Sequence, residues 1–132
     1  MDTPGAVRIN DHPLLGPLPE ADVVAFTCDG IAVESRAGEP IAAALLAAGW
    51  RVFRTMPRYG DPRGGYCMVG RCTDCLMVVD GVPNVRVCVT PVAAGLDVRT
   101  QVGLGEDQYR RRLRISPDEI FVSARFDHFN LN

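Results

Sequence analysis

The chain has 132 residues and a formal net charge of −2, so we expect one domain with a modest core. Basic residues are not in large excess, which gives no indication of nucleic-acid binding, and no apolar run reaches the length of a membrane span. Nothing resembling a signal peptide precedes the domain, so a soluble, cytoplasmic protein with reduced thiols is expected.

Residues 1–21 are predicted to form an amino-terminal arm. Four prolines in this segment argue against a helix or a hydrogen-bonded strand; they are Pro4, Pro13, Pro17 and Pro19. Leu14, Leu15 and Leu18 form an apolar cluster that would gain from burial, so we expect them to hold the arm against the domain.

A hairpin and a helix are predicted next. Val23 to Ser35 contains two strand-like runs, VVAFTC and IAVES, joined by a tight turn at Asp29 and Gly30. Pro40 suits the start of a helix, IAAALLAA continues it with strong helix formers, and Gly49 provides a left-handed stop. Because its apolar residues run nearly all round, the helix should be buried under a sheet.

The second half predicts short strands around a long loop. The strands are expected at Trp50–Phe53, Leu76–Val79, Val85–Thr90 and Leu96–Gln101, with a loop from Thr55 to about Asp74. Two hairpins with one helix packed across the sheet predict an α+β domain over residues 22–102.

Four of the five cysteines have the spacing of plant-type ferredoxins. Four residues separate Cys67 from Cys72, two separate Cys72 from Cys75, and twelve separate Cys75 from Cys88. Thiolates are soft donors, and four of them complete the coordination of two irons that share sulfides. The pattern predicts three sulfurs on one loop and Cys88 on a strand beyond the turn at Asp80 and Gly81, around a 2Fe-2S cluster.

Zinc and disulfides are the alternatives for these cysteines. A structural zinc site usually has two paired half-sites, whereas this chain has a single C-x2-C, and His12 and His128 lie far away in sequence. Disulfides would leave one of five thiols unpaired. Cys28, on the first predicted strand, is expected to be a buried, inert thiol rather than a ligand.

The chain also resembles a known family. Its element order is similar to the β-grasp fold of 2Fe-2S ferredoxins, and GEPIAAALLAAGWRVFRT followed by DPRGGYCMVGRCTDCLMVVDGVPNVRVCVTPV resembles the small ferredoxin-like subunits of multisubunit amine and amino-acid dehydrogenases. That group includes the hydrogen cyanide synthase A subunit, opine oxidase and hydroxyproline dehydrogenase small subunits, and the amino-terminal part of sarcosine oxidase alpha chains. The resemblance covers about residues 23–101.

The resemblance implies a one-electron carrier with no organic chemistry of its own. An FAD-containing dehydrogenase or oxidase subunit would oxidise an amine or amino acid, and the electrons would leave singly through the cluster. Carried over residue by residue, the metal ligands would be Cys67, Cys72, Cys75 and Cys88. A free-standing ferredoxin or redox-sensing module is the alternative, although soluble ferredoxins are commonly more acidic than this chain.

Arginines and glycines around the ligands are expected to help hold an anionic cluster. Residues 51–71 contain five arginines and one acidic residue, Asp61, so the segment has an excess of positive charge. Arg54 and Arg63 are expected to have a structural or tuning role. Gly64, Gly65 and Gly70 should allow backbone N–H groups to approach the sulfides. Arg71 departs from the family pattern, and we expect its side chain to point outward or towards a partner.

Residues 103–132 lie beyond the resemblance and are predicted to dock on a partner. Their charges cancel, but the segment contains many apolar groups: Tyr109, Ile120, Phe121, Val122, Phe126 and Phe129. Aromatic residues mixed with arginine are typical of interface cores, so a hetero-oligomer is expected.

Overall fold

A computed structural model describes residues 7–105 of the chain. The strands, in chain order, are β1 Asp11–His12, β2 Gly16–Pro17, β3 Val23–Cys28, β4 Ile31–Arg36, β5 Arg54–Thr55, β6 Pro62–Arg63, β7 Leu76–Val79, β8 Val82–Arg86, β9 Asp97–Arg99 and β10 Gln101–Val102. The helix α1 spans Ile41–Ala47.

Five of these strands form the main sheet, in the order β4, β3, β9, β7, β8. Strand β3 pairs antiparallel with β4 and parallel with β9, whereas β7 pairs antiparallel with both β9 and β8. A second sheet holds β10, β5 and β6, and β1 pairs with β2 alone. Within residues 7–105, mixed sheets with one packed helix confirm the predicted α+β class.

The first hairpin forms where the sequence predicts it. Asp29 and Gly30 both have positive φ, 50° and 79°, as a two-residue hairpin turn requires. Alternation along β3 turns Phe26 and Cys28 inward, and Val33 lies opposite Phe26 in the register. These three side chains lie in the core, which spans the space between the sheet and α1.

Helix α1 also begins and ends near the predicted residues. Pro40 precedes its first turn with extended backbone, and the helix buries Ile41 and Leu45. At the other end, Gly49 has a φ of 99°, and the N–H of Trp50 donates to the Leu45 carbonyl. This bonding pattern closes the helix in the manner of a Schellman motif.

The strand predicted at Trp50–Phe53 is displaced. Trp50 is taken up by the end of the helix, and pairing begins only at β5, where Arg54 lies opposite Arg63. Trp50 and Phe53 are nevertheless buried, 4% and 0% exposed. Their apolar character therefore reflected core packing rather than a strand.

The predicted strand Val85–Thr90 is also wrong in its bounds. Asp80 and Gly81 form a tight turn with φ of 48° and 78°, so β8 resumes at once and ends at Arg86. The Arg86 carbonyl then accepts from the Val89 N–H and the Thr90 hydroxyl, which turns the chain. Cys88 consequently lies in a turn after β8, not on a strand as predicted. The last predicted strand, Leu96–Gln101, is likewise divided into β9 and β10.

The arm is attached differently from the prediction. Leu14, Leu15 and Leu18 are 89%, 84% and 42% exposed, so the predicted leucine cluster does not hold the arm against the domain. Instead Arg8 makes a two-point ion pair with Glu39, and the Val7 N–H donates to the Ala47 carbonyl. Two-residue pairing between β1 and β2 occurs despite Pro17, because such a short pair needs few N–H donors.

No helix within residues 7–105 is long and apolar enough to cross a membrane. Of the predicted docking segment, residues 106–132 lie outside the described part of the chain.

Candidate iron-sulfur centre

The four spaced cysteines lie on two segments. Cys67 and Cys72 are half-buried in the loop between β6 and β7, and Cys75 is buried where β7 begins. Cys88 is buried in the turn after β8. The antiparallel pairing of β7 with β8 brings the second segment back beside the first.

The Cys67 sulfur accepts hydrogen bonds from three backbone N–H groups. Donors at Val69, Arg71 and Cys72 lie 3.4, 3.3 and 3.3 Å from it. These hydrogen bonds, of which the one from Val69 has the largest effect, lower the pKa of the Cys67 thiol to about 6. Desolvation opposes this shift, and a hydrogen bond from the Cys72 side chain adds to it. The loop therefore stabilises a negatively charged sulfur at Cys67, the form that binds a metal.

Cys75 and Cys88 form a second pair in a drier environment. Burial raises the pKa of the Cys75 thiol to about 11, although the Cys88 N–H donates to it and opposes the shift. The Cys88 side chain is also within hydrogen-bonding reach of Cys75. The four thiols thus fall into two neighbouring pairs.

The two pairs fit a cluster with two irons. Between residues 7 and 105, no three side chains of histidine, cysteine, aspartate or glutamate converge as ligands of one metal ion would. A two-iron cluster needs only two protein thiolates on each iron, because bridging sulfides complete the coordination. Coordination would deprotonate Cys75 as well as Cys67, since a metal-bound thiol loses its proton.

The predicted glycines act on the loop in three different ways. A Cβ at Gly64 would overlap the Arg51 carbonyl oxygen, so this position brings two backbone segments together. At Gly65 a Cβ would lie 2.6 Å from the Met68 sulfur, and at Gly70, whose φ is 77°, 3.1 Å from Val89. The N–H groups that reach Cys67 belong to other residues of the loop, so direct approach of the three glycines to the sulfides stays a prediction.

The arginines around the loop differ sharply in burial. Arg63 and Arg71 are exposed, and the outward orientation expected for Arg71 agrees with this. Arg71 contributes its backbone N–H to Cys67. Arg54, in contrast, is completely buried and donates to the Thr73 carbonyl within the loop at 3.0 Å.

Sequence reasoning missed Arg86, which also holds the loop. Its Nε donates to the Cys72 carbonyl at 3.2 Å, tying the loop to the end of β8. The only signal in the sequence was its place two residues before the fourth cysteine. Cys28 is a fully buried free thiol whose pKa is raised to about 12, chiefly by desolvation, as expected of an inert core cysteine.

Comparisons with known proteins agree with this geometry. Residues 21–103 match the family described as "2Fe-2S iron-sulfur cluster binding domain". The chain is 35% identical over 85 residues to hydrogen cyanide synthase subunit HcnA of Pseudomonas aeruginosa, covering 64% of this chain and 80% of that protein. It is 33% identical over 84 residues to the HcnA subunit of Pseudomonas protegens, covering 64% and 78%.

Among solved structures, L-proline dehydrogenase from P. horikoshii has a similar fold. The TM-score is 0.56 at 24% identity, over 64% of this chain and 16% of the other. The predicted resemblance to the hydrogen cyanide synthase subunit and the predicted cofactor are confirmed by the family and its relatives. The chain belongs to the family of 2Fe-2S iron-sulfur cluster binding domains.

Proposed function

We propose that this chain is the one-electron carrier of a larger oxidoreductase complex, with its cluster on Cys67, Cys72, Cys75 and Cys88. The observation that carries the assignment is the arrangement of the thiols in two pairs, with three N–H donors directed at the Cys67 sulfur. Cys67 and Cys72 would bind one iron, and Cys75 and Cys88 the other.

The bound cluster supplies the capacity to accept and release a single electron. The residues of the chain set its surroundings. Three N–H groups stabilise the charge on the Cys67 sulfur, and burial of Cys75 and Cys88 limits the access of water. Arg86 fixes the Cys72 end of the loop. We assign no step in the oxidation of an organic substrate to this chain.

We infer that the partner is an FAD-containing dehydrogenase or oxidase subunit acting on an amine or amino acid. A flavin can take two electrons as a hydride and release them one at a time, which suits a carrier that accepts one. The two relatives named as subunits of hydrogen cyanide synthase support a role within an assembly. A cytoplasmic location is consistent with the free thiols at all five cysteines.

We further propose that the segment after Gly105 docks on this partner, as its mixture of aromatic residues and arginines suggests. The cut for testing this should follow Gly105 rather than Gly103. The Gly103 carbonyl accepts from Arg54, and Gly105 is buried against the domain. A chain ending at Gly105 therefore retains the contacts of the described fold.

Copurification from the source cell tests the proposal. We expect the full chain to bring down a flavin-containing subunit, and the chain ending at Gly105 to keep its iron but lose that subunit. Removal of the first six residues is the control and should leave the complex intact. A truncated chain that still binds the flavoprotein would contradict the docking role. A full chain that carries iron but purifies alone at its monomer mass would instead favour a free ferredoxin.

A further inference from the structure

Arg54 has an unusual environment for a charged side chain. It is 0% exposed, and it is the largest of the fully buried side chains among the described residues. Its guanidinium donates to two backbone carbonyls, Thr73 at 3.0 Å and Gly103 at 3.1 Å, and its Nε has no hydrogen-bond partner within the described structure. The side chain on β5 thus reaches directly under the cysteine loop.

The charge of Arg54 is not balanced by a contacting carboxylate. Within residues 7–105, the ion pairs are Arg8 with Glu39 and Arg99 with Asp97. Arg63, directly opposite Arg54 in the pairing of β5 with β6, adds a second positive charge. The Asp74 carboxylate lies nearby without forming an ion pair with Arg54, so the charge is only partly compensated. Since a guanidinium stays protonated in proteins, burying it in this way is costly.

The cysteine loop is where the compensating charge would be. Thr73 lies between Cys72 and Cys75, so the Arg54 guanidinium is hydrogen bonded to the segment that joins the two thiol pairs. Desolvation lowers the pKa of Arg54, and the nearby Asp74 and Cys75 act against that effect. A 2Fe-2S cluster on four thiolates carries a formal charge of about −2, and one added electron makes it about −3.

We propose that Arg54 is the internal counter-cation of the cluster and favours its reduced form, so that it raises the reduction potential. The proposal rests on the four cysteines being the ligands. The electron comes from the flavin of the partner, or from dithionite in a titration, and no proton or bond is exchanged with Arg54. The more negative reduced cluster gains more from a nearby buried cation, because a dry environment screens the attraction poorly.

Arg51 offers a matched control, because it lies close to Arg54 in the chain and its carbonyl contacts the start of the loop. It is also an arginine that donates to two carbonyls, those of Leu46 and Trp50, but it is exposed to solvent. Its own carbonyl packs against Gly64 at the start of the loop. Water should screen its charge, so removing it should matter little.

The test uses the cluster-loaded full chain with three variants, Arg54→Met, Arg54→Lys and Arg51→Met. Iron and sulfide content, with the paramagnetic-resonance spectrum, reports whether the cluster is present; a potentiometric titration reports its midpoint potential. We expect Arg54→Met to lower the midpoint potential. Arg54→Lys should lower it much less, and Arg51→Met should leave it unchanged. The difference between the Met and Lys variants at Arg54 should persist at high salt, since a buried charge is poorly screened.

Three results would overturn the proposal: an unchanged potential in Arg54→Met, equal losses in the Met and Lys variants, or an equal loss in Arg51→Met. If Arg54→Met fails to hold a cluster, Arg54→Lys decides. A lysine variant with a nearly normal potential supports the counter-cation. A lysine variant without a cluster overturns it, because Arg54 would then act by holding the loop through its two carbonyl contacts. An unmodified chain without 2Fe-2S signals would instead refute the ligand assignment.

Discussion

Cys28, at the end of β3, and Cys88, in the turn after β8, are both buried in the core, yet we expect only Cys88 to hold iron. Cys88 lies beside Cys75, whereas Cys28 lies outside the spaced set of cysteines and has the raised pKa of an inert core thiol. Replacement of Cys88 by serine should abolish the visible absorbance of the cluster, because one iron loses a soft donor. Cys28→Ser should keep a full complement of iron per chain. A Cys88→Ser protein with normal iron and spectrum would contradict the assignment.

The thiols should also differ in their reactivity in the iron-free chain. Only the thiolate reacts with iodoacetamide, and the lowered pKa of Cys67, about 6, makes it mostly ionised at neutral pH. Its labelling rate should rise with pH to a plateau above about pH 7. Cys75 and Cys28, with pKa values raised to about 11 and 12, should stay protonated and unlabelled there.

Peptide mapping of the labelled protein checks this order, with circular dichroism to show that the iron-free chain is folded. The Cys67→Ser variant is the control and should lose the fastest-labelled site. A profile in which Cys67 reacts only above about pH 8, as an ordinary thiol does, would show that the three N–H donors do not act as described.

The loop between β6 and β7 depends on one close backbone contact. A methyl group at Gly64 would overlap the Arg51 carbonyl oxygen, which belongs to the main chain and cannot rotate away. We expect Gly64→Ala to destabilise the cluster-loaded protein by about 1–3 kcal/mol, the usual cost of overpacking. Denaturant unfolding measures it.

Gly65→Ala is the matched control, since the atom nearest to its new methyl group is the sulfur of Met68, a flexible side chain that can move away. It should cost clearly less than Gly64→Ala. Equal losses would mean that the loop tolerates no side chain at either position, whatever its neighbour.

Local turn chemistry is what made parts of the fold predictable. The Asp29–Gly30 and Asp80–Gly81 dipeptides each specify a two-residue turn, and both have the required positive φ. The cysteine spacing likewise predicted the cofactor, because the short spacings allow a single loop to bring three thiols close together, and the hairpin returns the fourth to them. The bounds of β5 and β8 were not predictable, because they depend on tertiary contacts. One example is the hydrogen bond from the Phe53 N–H to the Arg63 carbonyl.

The candidate site shows the same division. Ligand identity follows from residue type and spacing, whereas the N–H donors on Cys67 depend on the folded path of the loop. The sequence analysis assigned Arg54 and Arg63 the same structural or tuning role, and it did not predict that Arg54 is buried while Arg63 is exposed. The contact of Arg86 with the Cys72 carbonyl requires β8 to be in register with β7.

An ion pair joins the described part of the arm to the rest of the molecule, and we expect its strength to depend on pH. The Nη1 and Nη2 atoms of Arg8 donate to the Glu39 carboxylate at 3.0 and 2.8 Å. The Arg8 side chain is 24% exposed and the Glu39 side chain 17%. Burial alone would raise the pKa of Glu39, but Arg8 and the Arg36 N–H bring it below its usual value. The pair therefore stabilises the fold above the ordinary glutamate pKa, and this contribution is lost as the pH falls through the lowered one.

Arg8→Ala should accordingly reduce the free energy of unfolding by about 1 kcal/mol at pH 7, a value discounted for partial exposure. The difference from the unmodified chain should shrink as the pH falls through the lowered pKa of Glu39, where its carboxylate becomes protonated. Urea unfolding of the iron-free chain measures both, so that acid loss of the cluster does not interfere. Arg99→Ala is the control and removes the ion pair with Asp97. The Arg99 and Asp97 side chains are 60% and 44% exposed, so this variant should change the free energy of unfolding little. An Arg8→Ala effect that does not shrink on acidification, down to the lowest pH at which the chain is still folded, would show that packing of the arm, not the ion pair, holds it to the domain.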